Sequence, residues 1–168
     1  MKKIKLSLPA SVHFIGDIIV TDPCYFIPRD MWKELCKQWF DKKEAGQSTE
    51  YAEQGVIELE DGGKILYSST AYGDGEYPVF AGKFKSVHND STGVDAGMIA
   101  VITVKDVQKL NPEFNVNDKF YPRINGFNGI IMADGKGNFV GDVELNTQSE
   151  EPQDEFLENE DQFDYEVD

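Results

Sequence analysis

The stretch Thr21-Asp22-Pro23-Cys24-Tyr25 places a carboxylate, a thiol and a phenol side by side. A thiol becomes a nucleophile when a base takes its proton and a third group orients that base. His88 would be the base for Cys24, with Asn89 or Asp95 as its orienter. Such activation needs a cation or a helix N-terminus to ease ionisation of the thiol, and Cys24 lies four residues before Pro28, where a helix is predicted to begin. A free cysteine is equally one of the most buried residue types. The expectation is a structural Cys24 beneath that helix, with no residue assigned to catalysis and Cys24 and His88 the pair to check.

A second chemistry belongs to the aspartates. Asp22, Asp74 and Asp95 would make an oxygen-ligand pocket or metal site if their three loops converge, with Tyr25 and Tyr77 as walls. Gly73 and Gly75, on either side of Asp74, would let backbone approach an ion or phosphate closely. Asp and Gly are also what ordinary turns require. The chain has no EF-hand spacing, no H-E-x-x-H and no paired-cysteine ligand pattern. No metal or cofactor is therefore expected, and Asp22, Tyr25, Asp74, Tyr77 and Asp95 stand as candidate ligand-binding residues. His13 falls within a strand-like run and His88 within a polar loop, so neither reads as a ligand.

The elements that must position these residues are mainly strands. Alternation over residues 3–8 and β-branched runs at 12–15 and 17–21 predict strands, the latter two separated by Gly16. Asp22-Pro23 ends the second run, because the residue before proline is pushed out of the helical region. One amphipathic helix is predicted from about 28 to 43, with Met31, Trp32, Leu35, Cys36, Trp39 and Phe40 on one apolar face. Pro28 suits its first turn, Lys42 and Lys43 its last, and Gly46 its stop. Strands follow at 55–60 and 64–70 around a Glu60-Asp61-Gly62-Gly63 hairpin turn. Further strands are predicted at 77–87, 97–104, 120–124, 129–133 and 138–145, with a short helix near 105–110. The pattern predicts an α+β, mainly β fold: an antiparallel β-barrel or sandwich with one amphipathic helix packed on it. Residues 1–148 form one domain and 149–168 an acidic C-terminal tail.

Three motifs occur in order: Asp22-Pro23-Cys24-Tyr25, Gly73-Asp74-Gly75-Glu76-Tyr77-Pro78-Val79 and Val94-Asp95-Ala96-Gly97, with Trp32 and Trp39 in the intervening helix. Together they resemble a family of small bacterial and phage proteins of unknown function, marked by DPCY, GDGxYPV and VDAG elements. The resemblance covers roughly residues 15–104. It implies a compact β-rich fold and a phage or prophage origin, and it carries no assigned activity.

Charge is distributed unevenly. The chain carries −15, and residues 150–168 hold ten carboxylates with no Lys or Arg, which leaves −5 on residues 1–149. Lys83, Lys85, Lys119 and Arg123 are scattered, so no basic patch supports direct nucleic-acid binding. Cys24 and Cys36 are too few for a disulfide framework. Lys5 interrupts the apolar start, no run reaches membrane-spanning length, and a cytoplasmic protein is expected, in the bacterial host if phage-encoded.

Extended, the tail spreads its charges about 6 Å apart, and as a helix roughly 3 Å apart. Duplex DNA carries one per about 1.7 Å, so the tail alone is too dilute to imitate a duplex. Its carboxylates alternate with apolar groups, the pattern of a segment that docks on a basic groove with apolar pockets. Glu155, Phe156, Leu157, Glu158, Glu160, Asp161, Phe163, Asp164 and Tyr165 are its candidate contact residues. The leading expectation is a non-catalytic binding or inhibitor protein, phage-encoded, engaging a basic surface of a host protein that itself binds nucleic acid. The alternatives are a nucleotide- or small-molecule-binding protein or hydrolase using the Asp22/Cys24/Tyr25, Asp74 and Asp95 turns, and a virion or assembly component.

Overall fold

The computed structural model describes residues 5–7, 10–44, 54–70, 74–84, 86–88, 91–134 and 137–146, with backbone only at 5–7, 38–44 and 86–88. The acidic tail, the His88 side chain, Asn89, Gly73, Lys85, and the side chains of Trp39, Phe40, Lys42 and Lys43 lie outside that description. The fold is mainly β, as expected. One antiparallel sheet curls into a half-barrel that carries two helices.

The chain order is β1 (Lys5–Ser7), β2 (Ser11–Thr21), a 3-10 turn (Pro23–Tyr25), α1 (Arg29–Glu44), β3 (Gln54–Glu58), β4 (Lys64–Ser69) and β5 (Gly75–Pro78). There follow β6 (Ser86–His88), β7 (Ser91–Val94), β8 (Met98–Thr103), α2 (Val104–Leu110), β9 (Pro122–Ala133), β10 (Asn138–Gly141) and β11 (Leu145–Asn146). Across the main sheet the order is β1-β3-β4-β8-β2-β9-β10-β11, with β6 on the free side of the first residues of β9. β5 and β7 form a separate two-stranded sheet.

Alternation divides each central strand between two cores. Ile18 and Val20 of β2, Leu66 of β4, and Ile99 and Val101 of β8 face one cluster, which the small sheet closes with Tyr77, Val79 and Val94. Ile19, Ile65, Tyr67, Met98, Ala100 and Ile102 face the other, beneath Met31 and Leu35 of α1 and Val107 and Leu110 of α2. A strand buried on both faces must be apolar throughout, which is why β8 reads Met-Ile-Ala-Val-Ile.

Several strand boundaries differ from those predicted, for local reasons. Gly16, at φ +113°, absorbs a β-bulge between Gly16 and Ile18, so the two runs expected around it form one eleven-residue strand. Likewise 120–124 and 129–133 merge into the twelve-residue β9, because both halves pair with β2. The expected 77–87 strand is interrupted: after Pro78 the chain makes a single bridge from Phe80 to Glu144, then a turn in which the Phe84 N–H donates to the Ala81 carbonyl (3.1 Å). The expected 138–145 strand is likewise divided into β10 and β11.

Two glycines with nearly the same backbone torsion give a clean test of the packing. A Cβ on Gly16 would meet nothing within 4 Å, whereas a Cβ on Gly141 (φ +117°) would collide with the Ile130 carbonyl oxygen across the β9–β10 pair. Gly16→Ala should cost about 1–2 kcal/mol from torsion alone. Gly141→Ala should cost clearly more, read as a larger fall in the urea midpoint at unchanged m. Equal losses would show that the β9–β10 approach is looser than described.

Candidate functional site

Asp22 is fully buried where β2 ends. Its Oδ1 accepts the Cys24 N–H (2.9 Å), which caps the 3-10 turn. Its Oδ2 accepts the N–H groups of Asp95 (3.0 Å) and Ala96 (2.7 Å) in the turn between β7 and β8. A buried carboxylate is stable only when its oxygens are satisfied, and here three backbone donors do so. One side chain thus ties the DPCY turn to the VDAG turn, and the phenol of Tyr25 closes the junction by donating to the Asp95 carboxylate.

Cys24 lies within electrostatic reach of all three aspartates. Burial first, then the Asp22 carboxylate, then Asp95 and Asp74, push its thiol well above the ordinary 9.0. Tyr25 is pushed above its ordinary 10.0 by burial first and then by its hydrogen bond to Asp95. The loops of Asp22, Asp74 and Asp95 therefore come together, but the field they make opposes a thiolate. Nucleophilic chemistry needs the opposite field. Among the described residues no group of three or more His, Cys, Asp or Glu is placed to hold a metal ion. The reason is visible in the bonding, since Asp22 is committed to three N–H donors and Asp95 accepts from Tyr25. Tyr77 is 1% exposed in the core under the small sheet and so forms no wall of an open site.

Beside this junction lies a cleft of about 360 Å³. Tyr25, Phe114, Phe120 and Tyr121 supply its aromatic surface, and Asn111, Glu113, Asn115 and Asp118 its polar one. Phe120, half exposed, stands edge-on to Tyr25 with ring centroids 5.7 Å apart. Phe114 stacks on Tyr121 at 5.3 Å and meets Phe26 edge-on at 6.1 Å. Burial, then Asp118, raises Tyr121 to about 12, and its hydroxyl donates to the Asn115 carbonyl.

The cleft loop holds its shape through its own side chains. Asn111, Asn115 and Asp118 each accept the N–H two residues on, at Glu113 (3.3 Å), Asn117 (3.0 Å) and Phe120 (2.9 Å), which makes three successive Asx turns. Asn111 also donates to the Phe26 carbonyl (3.1 Å), joining the end of α2 to the DPCY turn. Arg123 binds the far side of the loop at the Asn117 side chain (2.8 Å) and the Val116 carbonyl (3.4 Å), and pairs with Asp17 of β2 at 2.9 Å. The Gly126 N–H and then Arg123 hold the Asp17 carboxyl below its ordinary 3.8.

Of the residues expected from sequence, Asp22, Cys24, Tyr25, Asp74 and Asp95 converge, Tyr77 lies apart, and the His88 side chain lies outside the described residues. The sequence reading did not single out Phe114, Phe120, Tyr121 or the Asn/Asp residues between them. Their signal was available: three aromatics within an Asn/Asp-rich loop, where no core periodicity calls for them. Comparison with protein-family models, curated proteins and solved structures finds no match. The functional reading therefore rests on the site itself. No helix among the described residues is long and apolar enough to cross a membrane.

Two outcomes follow. Asp22→Asn would set an amide against a backbone N–H and remove the charge that holds three donors, so it should destabilise by about 3 kcal/mol, measured as a lower urea midpoint. For pH, the unfolded thiol and phenol ionise near 9.0 and 10.0 while folded Cys24 and Tyr25 stay protonated. Above pH 9 the folded state therefore binds more protons than the unfolded one, and stability should fall as pH rises. Thermal unfolding at pH 8 to 11 should show this fall, and Cys24→Ala should make it shallower. An unchanged slope in the variant would contradict the thiol's assigned environment.

Proposed function

We propose that this is a non-catalytic binding protein, phage-encoded and acting in the bacterial cytoplasm, that engages a basic surface of a host protein through carboxylates. The observation that carries the reading is the cleft at Tyr25. Tyr25, Phe114, Phe120 and Tyr121 line it together with Glu113 and Asp118, and no Lys or Arg is among its lining residues. Guanidinium groups stack on aromatic faces and fork onto carboxylates, so the cleft suits an arginine side chain presented by a partner. A cleft that favours cations repels phosphate, which weighs against a nucleotide in the same place. The raised Cys24 thiol weighs equally against a hydrolase.

The acidic segment adds reach and steering. Its ten carboxylates raise the rate of encounter with a basic surface by long-range attraction, while the cleft supplies a fixed anchor. A host protein that binds nucleic acid offers the basic surface both features need. A small-molecule reading keeps one observation in its favour, since about 360 Å³ falls within the range of ligand pockets; a neutral or cationic ligand would suit it.

The test is a titration of the full chain with an arginine-rich peptide, followed by amide NMR shifts. Shifts should centre on Tyr25, Phe114, Phe120 and Tyr121 and weaken as salt rises from about 0.05 to about 0.5 M. Phe120→Ala and Asp118→Asn should each weaken binding about 5- to 30-fold, the range for losing a cation–π or charged contact. Binding that ignores these substitutions would sink the reading. A thermal shift with a neutral ligand, and none with the peptide, would favour the small-molecule alternative.

A further inference from the structure

Among the described residues, no strand pairs with the first half of β2 on the side away from β9. β8 pairs with β2 only from Ile18 to Thr21, while β9 pairs with it from Ser11 onward. The Ala133 N–H donates to the Ala10 carbonyl (2.8 Å), and in an antiparallel ladder this phase repeats every second residue. Ala10, Val12 and Phe14 thus bond to β9, and Ser11, His13 and Ile15 direct their backbone N–H and C=O groups the other way. On that side lies a cleft of about 490 Å³, bounded by residues 11–15 along one wall and by the β3–β4 turn and the start of α2 along the other. Lys64, Lys105 and Lys109 line it, with Asp61 and Asp106 beside them. Asp61 is turned inward onto the Gly63 N–H at 3.1 Å.

The outer face next to this edge is apolar. Ile15 is 66% exposed, Ile130 51% and Met132 46%. Ile130 stands opposite His13, Met132 opposite Ser11, and Val140 opposite Met132, so these exposed side chains share one face from β10 to β2. An unpaired strand edge beside an exposed apolar face is a template for another strand, and folded proteins rarely leave it open.

We propose that this chain's own segment 147–168 closes the edge, with residues 163–168 adding as a strand beside residues 11–15. The sequence Phe163-Asp164-Tyr165-Glu166-Val167-Asp168 alternates apolar and acidic side chains without a break, which is the period of a strand with one apolar face. The acidic side chains meet the wall of Lys64, Lys105 and Lys109, and the apolar ones continue the face of Ile15 and Ile130. Reach is ample. The segment leaves β11, and a strand added beyond β2 lies four strand spacings away, about 19 Å. The sixteen residues 147–162 span up to about 50 Å, with Phe156 and Leu157 free to cover Ile130 and Met132 on the way. The closure does not depend on the partner reading above. Where that reading holds, a basic partner competes with the protein's own lysines for the same segment.

The test uses the full chain alone, at high dilution, with a carbodiimide that joins lysine amines to carboxylates, followed by mass spectrometry of the monomer. Asp164, Glu166 and Asp168 should cross-link to Lys64, Lys105 and Lys109 in preference to the exposed Lys33, Lys37, Lys83 and Lys119. Successive strand N–H groups point to opposite sides, so one of Tyr165→Pro and Glu166→Pro removes an inward donor, and that variant should lose the preference. In the same variant the Ser11, His13 and Ile15 amides should exchange with solvent about tenfold faster than in the parent chain. Cross-links spread evenly over all lysines, or unchanged in both proline variants, would overturn the proposal. Cross-links confined to a dimer would overturn it in favour of exchange between two copies. Because no partner peptide is present, failure here leaves the Tyr25 cleft untouched, and failure of the peptide titration leaves this edge untouched.

Discussion

The buried carboxylate of Asp22 is the constraint on which the rest of the site depends. It lies at the end of the central strand β2, and its three backbone donors come from two turns more than seventy residues apart in sequence. A charged group removed from water is tolerated only with such full satisfaction, so the bonds fix where the DPCY turn and the VDAG turn sit. Tyr25 follows from that placement, because its phenol reaches Asp95 only once the two turns are joined. Phe120 then packs edge-on to Tyr25, and the Asx turns and Arg123 hold Phe120 in place from the other side. The aromatic cleft is therefore built outward from one buried carboxylate, and burial, with that carboxylate second, raises the neighbouring thiol.

β2 links two surfaces of opposite character. At its C-terminal end stands the acidic, aromatic cleft; along its N-terminal half runs an open edge faced by lysines. The six steps from Ile15 to Thr21 span roughly 20 Å at strand rise, beyond the screening length of about 8 Å at physiological salt. Each surface therefore acts on its own charge.

How much was legible beforehand follows from what each signal depends on. The predicted first helix, the β3–β4 hairpin, the apolar run of β8 and the short second helix all appear close to their expected places, because periodicity and turn chemistry act within a few residues. The boundaries that moved did so through pairing with distant strands. Gly16 looked like a break and is a bulge, since β9 continues past it; residues 77–87 looked like one strand and are interrupted at the bridge from Phe80 to Glu144.

The sequence by itself determined the mainly β class, the helix that covers one core, and the segregation of ten carboxylates into one segment. Those properties reside in residue types and short spacings. Tertiary structure decided that Asp22 is a structural anchor, that Cys24 lies in a field opposing its ionisation, and that Tyr77 belongs to the core. It also decided that an Asn/Asp-rich loop brings Phe114, Phe120 and Tyr121 to Tyr25, and that no strand among the described residues covers the outer edge of the first half of β2. These depend on distances between residues remote in sequence, and a group's burial, its charged neighbours and its free hydrogen-bonding edge exist only once those distances are set.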